Sequence, residues 1–189
     1  MWRMKDKILN ELSKIVGRQG IGELAEYLKT SDFFSAPAST KFHGSYPGGL
    51  AQHSWNVFKL LGEKNERYGL GLTADTVRIC GLLHDICKIG LYFQEEKWRK
   101  DPAGKWESYK AYVVKDSLPL GHGEKSVIML QRFIELTDVE IFMIRWHMGN
   151  FIPWENRRDF NNAIALHRHV VAMSTADFEA STYLDRGPE

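Results

Sequence analysis

Apolar residues recur along most of this chain at the three- to four-residue spacing that is typical of amphipathic helices. The spacing predicts helices over residues 5–16, 21–28, 50–67, 74–88, 123–136, 138–147 and 161–183. Thr73 is a suitable N-cap for the fourth of these helices, and Thr137 with Glu140 forms a capping-box pattern at the sixth. The fourth helix is apolar on most of its sides, so we expect it to lie at the centre of the fold.

Two segments interrupt the helical pattern. Residues 31–49 are rich in serine, proline, glycine and aromatic residues, and a loop of that length in a compact domain usually has a function. Residues 97–113 contain the turn sequence Asp101-Pro102-Ala103-Gly104 between aromatic segments that partly alternate, which predicts a β-hairpin. The pattern therefore predicts one mostly helical domain with a small hairpin as an excursion.

The composition is that of an ordinary globular domain, because 43% of the 189 residues are hydrophobic and 26% are charged. A formal net charge of +1 argues against a protein that wraps long nucleic acids electrostatically. Cys80 and Cys87 lie on one predicted helix, about 10 Å apart along its axis, which is too far for a disulfide. We find no apolar run of signal-peptide or membrane-span length, so we expect a cytoplasmic protein with no membrane partner.

Six ionisable side chains fall on inward faces of the predicted helices, judged by their spacing from neighbouring apolar residues. They are His53, His84, Asp85, His122, His147 and Asp177. A single buried histidine is usually a neutral ring that bonds to the backbone, but two uncompensated buried carboxylates would be costly. Mixed nitrogen and oxygen ligands suit Mn, Fe, Ni, Zn or Mg, so the set predicts one or two divalent cations whose identity stays open.

The order of these residues resembles the HD-domain superfamily of metal-dependent phosphohydrolases, which is named for its His-Asp pair. Residues 82–90, Leu-Leu-His-Asp-Ile-Cys-Lys-Ile-Gly, match the central motif of that family except at Cys87, where glycine is more usual. Residues 48–53, Gly-Gly-Leu-Ala-Gln-His, are similar to the opening motif in the HD domains of bacterial 3′–5′ exoribonucleases. The resemblance implies an all-α helical bundle: a single HD domain, 1–189, with its core at 42–180 and a helical extension at 1–41.

The resemblance also implies roles for the six inward residues. His53, His84, Asp85 and Asp177 would bind one metal ion, and Asp85 would bridge to a second ion that His122 and His147 hold. The alternative for His122 is a hydrogen-bond donor to a substrate phosphate beside a single ion. Asp85 and Lys88 would be the catalytic residues, with Lys88 holding a phosphate oxygen; the alternative is that Lys88 only completes the end of its helix.

Further residues are candidates for substrate binding because of their position near the predicted ligands. They are His43, Tyr46, Lys88, Lys125, Trp146 and Trp154. Aromatic faces beside a phosphate-hydrolysing centre suit nucleobases, although core packing is the alternative for each ring. His169 could support the metal ligands from behind. The basic hairpin region is compatible with an approaching nucleic-acid end, and equally with a solvated hairpin.

The reaction that we expect is hydrolysis of a phosphomonoester or phosphodiester of a nucleotide, a dinucleotide or a single-stranded nucleic-acid end, by a hydroxide that two cations share. The first 41 residues are too short and too helical to form an OB-type nucleic-acid domain, which favours a small nucleotide. Two alternatives remain. The first is an HD-fold oxygenase, in which the same ligand set holds a mixed-valent di-iron centre. The second is a non-catalytic regulatory helical module.

Overall fold

The computed structural model describes residues 3–185, and within that range the chain is predominantly helical. Its eight α-helices are α1 (Met4–Leu12), α2 (Ile21–Thr30), α3 (Gly49–Tyr68), α4 (Ala74–Leu83), α5 (His122–Gln131), α6 (Asp138–Arg145), α7 (Arg157–Leu166) and α8 (His169–Glu179). Two strands, β1 (Tyr92–Lys100) and β2 (Trp106–Val114), form the one small sheet of this range. The all-α prediction is therefore approximate. Among the described residues, every helix is too short or too polar to cross a lipid bilayer.

Helix α4 lies at the centre of the molecule, as its apolar sequence predicts. Most of its residues are buried, and it packs against α1, α3 and α6. The approach to α3 is close at Gly81, where a Cβ atom would lie 2.5 Å from the Cα atom of Phe58. Apolar side chains of α1 and α2, such as Ile8 and Leu24, belong to the same core. The N-terminal helices thus share one hydrophobic core with the rest of the described chain.

Both predicted helix caps are confirmed. The Thr73 hydroxyl accepts a hydrogen bond from the backbone N–H of Thr76, and Thr137 forms a complete capping box with Glu140. The carboxylate of Glu140 is fully buried, and both of its oxygens lie 3.0 Å from the guanidinium nitrogens of Arg18. This ion pair joins the segment between α1 and α2 to the start of α6.

The predicted helix over residues 74–88 is wrong over its last five residues, because α4 ends at Leu83. Asp85 has φ −102° and ψ 18°, and a short 3₁₀ turn follows over Ile86–Lys88. In a continuous helix, two successive side chains diverge by about 100°. The break after Leu83 lets His84 and Asp85 both point into one buried site.

The predicted helix over residues 161–183 is also wrong. His167 has an extended backbone, with φ −136° and ψ 90°, which ends α7 before α8 begins at His169. Helix α7 itself starts at Arg157, four residues before the start of the predicted helix. The break lets the two helices fold together and bury Phe160 and Val170 in a small cluster with Trp146. A short π-helical turn over Ala180–Leu184 follows α8, and Asp185 comes directly after it.

The remaining differences lie at helix ends, where α1 and α5 stop four and five residues earlier than predicted and α6 stops two residues earlier. The hairpin is confirmed and is longer than predicted, with Tyr92 opposite Val114 and Lys100 opposite Trp106. Nearly all of its side chains between Phe93 and Lys110 are exposed, so it projects away from the helices.

Candidate metal centre

The six residues predicted as ligands converge on one buried site. His53 comes from α3, His84 and Asp85 follow α4, His122 begins α5, His147 follows α6, and Asp177 lies on α8. The side chains of His53, His84, Asp85 and His147 are almost completely shielded from solvent. The site is therefore assembled from five segments that are distant in sequence.

The carboxylate of Asp85 lies between two pairs of histidines. Its Oδ2 atom is 3.4 Å from Nε2 of His53 and 3.6 Å from Nε2 of His84. Its Oδ1 atom is 2.8 Å from Nε2 of His122 and 3.4 Å from Nε2 of His147. Each oxygen of one carboxylate thus faces its own pair of imidazoles.

Asp177 completes the side of the site that contains His53 and His84. Its Oδ1 atom is 2.9 Å from Nε2 of His53 and 3.7 Å from Nε2 of His84. The two Nε2 atoms are themselves only 3.2 Å apart. Two nitrogen atoms and two carboxylate oxygens therefore surround a single point on this side.

The ring orientation of three histidines is fixed by hydrogen bonds from their Nδ1 atoms. The Nδ1–H group of His84 donates to the carbonyl of Gly81 at 3.1 Å, and that of His147 donates to the carbonyl of Ile144 at 2.7 Å. His53 donates from Nδ1 to Oδ2 of Asp185 at 2.6 Å. A histidine whose Nδ1 carries the hydrogen presents a lone pair at Nε2, which is the usual arrangement of a metal ligand.

This donor set fits a divalent cation. The Nε2 atom of His147 is buried and forms no hydrogen bond, although it points toward Asp85. The Nε2 lone pairs of His53 and His84 face each other, which is unfavourable unless a cation or a proton lies between them. Buried polar atoms without partners are costly, so these nitrogens indicate a site that binds a cation.

In the absence of a metal ion, protonated histidines supply part of the positive charge that the site requires. Burial alone would lower the pKa of His53, but its hydrogen bonds to Asp177 and Asp185 raise the pKa to about 9. His122 behaves similarly, because its hydrogen bonds to Asp85 and Cys87 outweigh burial and raise its pKa to about 9. Burial would raise the pKa of Asp85, but the charge of Lys88 and the surrounding histidines hold it well below its usual value.

Lys88 lies against the same carboxylate. Its Nζ atom is 2.6 Å from Oδ2 of Asp85, and its side chain is buried. Burial would lower the pKa of Lys88, but the Asp85 carboxylate outweighs it and raises the pKa, so the ammonium keeps its charge. Helix α4 ends at Leu83, and Lys88 instead ends the 3₁₀ turn that follows, so its contact with a substrate phosphate stays a prediction.

Two of the predicted substrate-binding residues lie beside the site. The ring of His43 is 5.1 Å from the ring of His53, centroid to centroid, and is half-buried. Burial and the nearby charge of Asp185 raise the pKa of Tyr46. Both residues belong to the long loop before α3, so this loop covers the His53 side of the centre.

Other predicted contacts are placed elsewhere. Trp146 is buried in the core between Phe160 and the guanidinium of Arg145, so the structure contradicts its prediction as a base-stacking residue. We expected the ammonium of Lys125 at the mouth of the site. It is instead buried, and its Nζ atom forms an ion pair with Asp116 at 2.6 Å.

Trp154 is 77% exposed on a short turn, where its contact with substrate stays a prediction. His169 donates from Nε2 to the carbonyl of Leu70 and so does not support the ligands as we expected.

Two residues that were not predicted from the sequence hold metal-site histidines. Asp185 is buried, accepts from Nδ1 of His53, and has its second oxygen fixed by a hydrogen bond from Asn56 at 2.7 Å. Cys87 places its sulfur 3.4 Å from Nδ1 of His122. Asp185 follows the π-helical turn, so α-helical spacing does not predict where its side chain points. Cys87 does have a signal in the sequence, because it replaces the glycine that is more usual in the motif.

Comparison with protein-family models yields a match. A family model described as HD domain covers residues 50–171, a range that contains His53, His84, Asp85, His122 and His147. No curated protein and no solved structure matches the chain.

Proposed function

The chain belongs to the HD domain family, whose members are generally metal-dependent phosphohydrolases, and from this we propose that it hydrolyses a phosphoester of a nucleotide, a dinucleotide or a single-stranded nucleic-acid end. Asp85 and Lys88 are the proposed catalytic residues. The proposed metal ligands are His53, His84, Asp85, His122, His147 and Asp177.

The observation that carries this proposal is the position of the Asp85 carboxylate. Its two oxygens face separate histidine pairs, His53 with His84 and His122 with His147. A carboxylate in that position is suited to bridge two cations. Neighbouring divalent cations lower the pKa of water and neutralise charge that develops on a phosphoryl group under in-line attack.

The residues of the chain prepare the site for this chemistry. Asp185 and the carbonyls of Gly81 and Ile144 hold three imidazoles with Nε2 directed inward. Rings that are fixed in this way lose little freedom when they bind a ligand. Burial keeps bulk water away from His53 and His84, which strengthens their electrostatic interactions.

Lys88 contributes a positive charge beside Asp85. An ammonium has three N–H groups, and the contact of 2.6 Å with Asp85 uses one of them. The others are suited to donate to a non-bridging phosphate oxygen, which is negatively charged. His43 and Tyr46, on the covering loop, offer aromatic faces and polar atoms for the rest of a nucleotide.

The test uses the full chain, stripped of metal with a chelator and reloaded separately with Mn, Fe, Ni, Zn or Mg. Bis-p-nitrophenyl phosphate reports hydrolysis, and a panel of nucleotides and dinucleotides follows. We expect at least one metal to support turnover in the wild type and in Asp75→Ala, which changes an aspartate at the far end of α4. Asp85→Ala and the isosteric Asp85→Asn are expected to be inactive.

Two outcomes would overturn the proposal. One is the absence of turnover with every metal although metal is bound. The other is an iron-loaded protein with the EPR signal of a mixed-valent pair that consumes dioxygen, which would identify the oxygenase chemistry instead.

A further inference from the structure

The β-hairpin presents two faces of different character. Residues directly opposite in an antiparallel pair share a face, and successive residues of a strand alternate between faces. We call the tryptophan face the one that bears Tyr92, Gln94, Glu96, Trp98, Lys100, Trp106, Ser108, Lys110, Tyr112 and Val114. The opposite face bears Phe93, Glu95, Lys97, Arg99, Glu107, Tyr109, Ala111 and Val113.

The tryptophan face is open to solvent and rich in aromatic rings. Trp98 is 61% exposed and Trp106 is 60% exposed, near the tip of the hairpin. A tryptophan side chain has a large apolar surface, and two of them on one projecting ribbon are unusual for a surface that only meets water. This face therefore indicates a binding partner.

The charges beside these rings favour an anionic partner. Lys100 lies across from Trp106, with Nζ 5.5 Å from the ring centroid, and Lys110 lies farther down the same face. Neither lysine forms an ion pair among residues 3–185, although Glu96 is the residue directly opposite Lys110, so Lys100 is the lysine with no acidic residue across from it. On the opposite face, Arg99 is paired with Glu107 at 2.7 Å and Glu95 with Lys115 at 2.8 Å, which leaves Lys97 as the one basic residue of that face without a carboxylate within ion-pair distance among the described residues.

The tryptophan face begins at the metal centre. Its first residue, Tyr92, follows Lys88 by four positions. Burial raises the pKa of Tyr92 and the positive charge of Lys88 partly offsets this rise, so the two side chains are close enough to interact. The phenol is anchored by a hydrogen bond of 3.4 Å to the carbonyl of Ala38, in the covering loop. From there the strands run outward for about 30 Å. A linear ligand on this face would thus have one end near Lys88.

We propose that the tryptophan face binds single-stranded nucleic acid and directs its end to the metal centre. This inference rests on the proposed function and narrows its substrate class to a strand. Aromatic rings interleaved with unpaired lysines bind such strands because every base has a stacking face and every linkage carries a negative charge. A second copy of the chain would not require unpaired lysines, and a mononucleotide would not require so long a face.

The first test measures binding without catalysis. The probes are fluorescein-labelled single-stranded RNA and DNA of about 15 nucleotides, added in EDTA and followed by fluorescence anisotropy. We expect Trp98→Ala with Trp106→Ala to weaken binding about tenfold or more, because each stacked base contributes substantially to affinity. The matched control is Tyr109→Ala with Phe93→Ala, which removes two rings from the opposite face and is expected to change affinity less than about twofold.

A second variant pair examines the charges. Lys100→Glu with Lys110→Glu should weaken binding and reduce its dependence on salt, whereas Lys97→Glu with Lys115→Glu, on or beside the opposite face, should have the smaller effect. The inference is overturned if the wild type binds no strand, if the two faces respond equally, or if loss of the tryptophans only converts a dimer to a monomer in light scattering.

The two proposals can fail separately. If bis-p-nitrophenyl phosphate is hydrolysed but no strand binds the hairpin, the inference is wrong and the proposed function stands. If strands bind through Trp98 and Trp106 but no metal supports hydrolysis, the proposed function is wrong and the hairpin is a nucleic-acid-binding element.

Discussion

At the scale of single residues, the metal centre depends on hydrogen bonds to the Nδ1 atoms of its histidines, on the side of each ring away from the metal. His53 is held from behind by Asp185, whose other oxygen accepts from Asn56. His84 and His147 are held by backbone carbonyls, which substitutions cannot remove. Asp185 is therefore the place where the support of a ligand can be tested separately from the ligand itself.

We predict that Asp185→Asn lowers metal affinity by about 10- to 100-fold while the fold is retained. An asparagine oxygen still accepts a hydrogen bond from Nδ1 of His53, but it lacks the charge that makes the ring a stronger ligand. Calorimetric titration with Zn²⁺ or Mn²⁺ measures the change. Ser181→Ala, on the same final turn with its hydroxyl bonded to the carbonyl of Phe178, is the control. Equal affinity in Asp185→Asn and wild type would contradict the role of Asp185.

In the metal-free protein, the protonation of His53 and His122 predicts how the free energy of unfolding depends on pH. Because the pKa values of His53 and His122 are raised to about 9 in the folded chain, their stabilising effect is complete below their ordinary value of 6.5. The effect is lost as pH rises through about 9. We predict that the free energy of unfolding in EDTA falls between these limits, by on the order of 1–3 kcal/mol.

Urea denaturation of the metal-free protein at several pH values across that range checks the prediction. His53→Gln should flatten the dependence, because glutamine does not titrate. A free energy of unfolding that rises over the same range would show that these histidines are not protonated in the folded state.

At the scale of elements, the close packing of α3 against α4 sets the distance between His53 and His84. Gly81 permits this approach, since a Cβ atom there would meet the backbone of Phe58. Gly62 offers a contrast within the same pair of helices, because a Cβ atom there would have its nearest neighbour at 3.9 Å, in Val77.

We predict that Gly81→Ala destabilises the protein by about 1–3 kcal/mol and weakens metal binding, because α3 and α4 must separate. Gly62→Ala should be neutral or stabilising by up to about 1 kcal/mol, because alanine is the better helix former. Urea denaturation and metal titration of both variants measure the difference. Equal stability of the two variants would contradict the close approach at Gly81.

The sequence predicted the existence of most elements better than their ends. Apolar spacing continues from Leu82 and Leu83 to Ile86, so it predicts one helix where the chain in fact leaves helical geometry at Asp85. The break has a tertiary cause, the burial of two adjacent polar side chains in one site, and local spacing does not record it. The capping residues Thr73 and Thr137 were predictable because their partners are only three positions away.

For the site, inward-facing spacing was sufficient to find the six residues that converge. Lys125, three positions after His122, was expected at the mouth of the site but is paired with Asp116 from the preceding segment. Asp185 was not predicted, because it lies beyond the end of the predicted last helix and follows a π-helical turn, whose spacing differs from that of an α-helix. Partners from distant segments are what spacing within one helix cannot predict.

At the scale of the whole molecule, the metal centre ties five segments together, so metal binding and folding are linked. A ligand that binds only the folded chain stabilises it by about 2.7 kcal/mol at a concentration 100 times its Kd. We predict that a supporting metal raises the Tm of the wild type by several degrees and leaves that of Asp85→Asn almost unchanged. Differential scanning calorimetry with and without metal measures both shifts. An equal rise in both proteins would mean that the metal binds elsewhere.

The central claim is that Asp85 joins two cation positions, and the metal content of purified variants tests it most directly. After reconstitution with Mn²⁺ and removal of free ions, elemental analysis should find two ions per chain in the wild type. It should find one in the variant with both His122→Ala and His147→Ala, and little or none in Asp85→Ala. Full metal content in folded Asp85→Ala would contradict the ligand assignment.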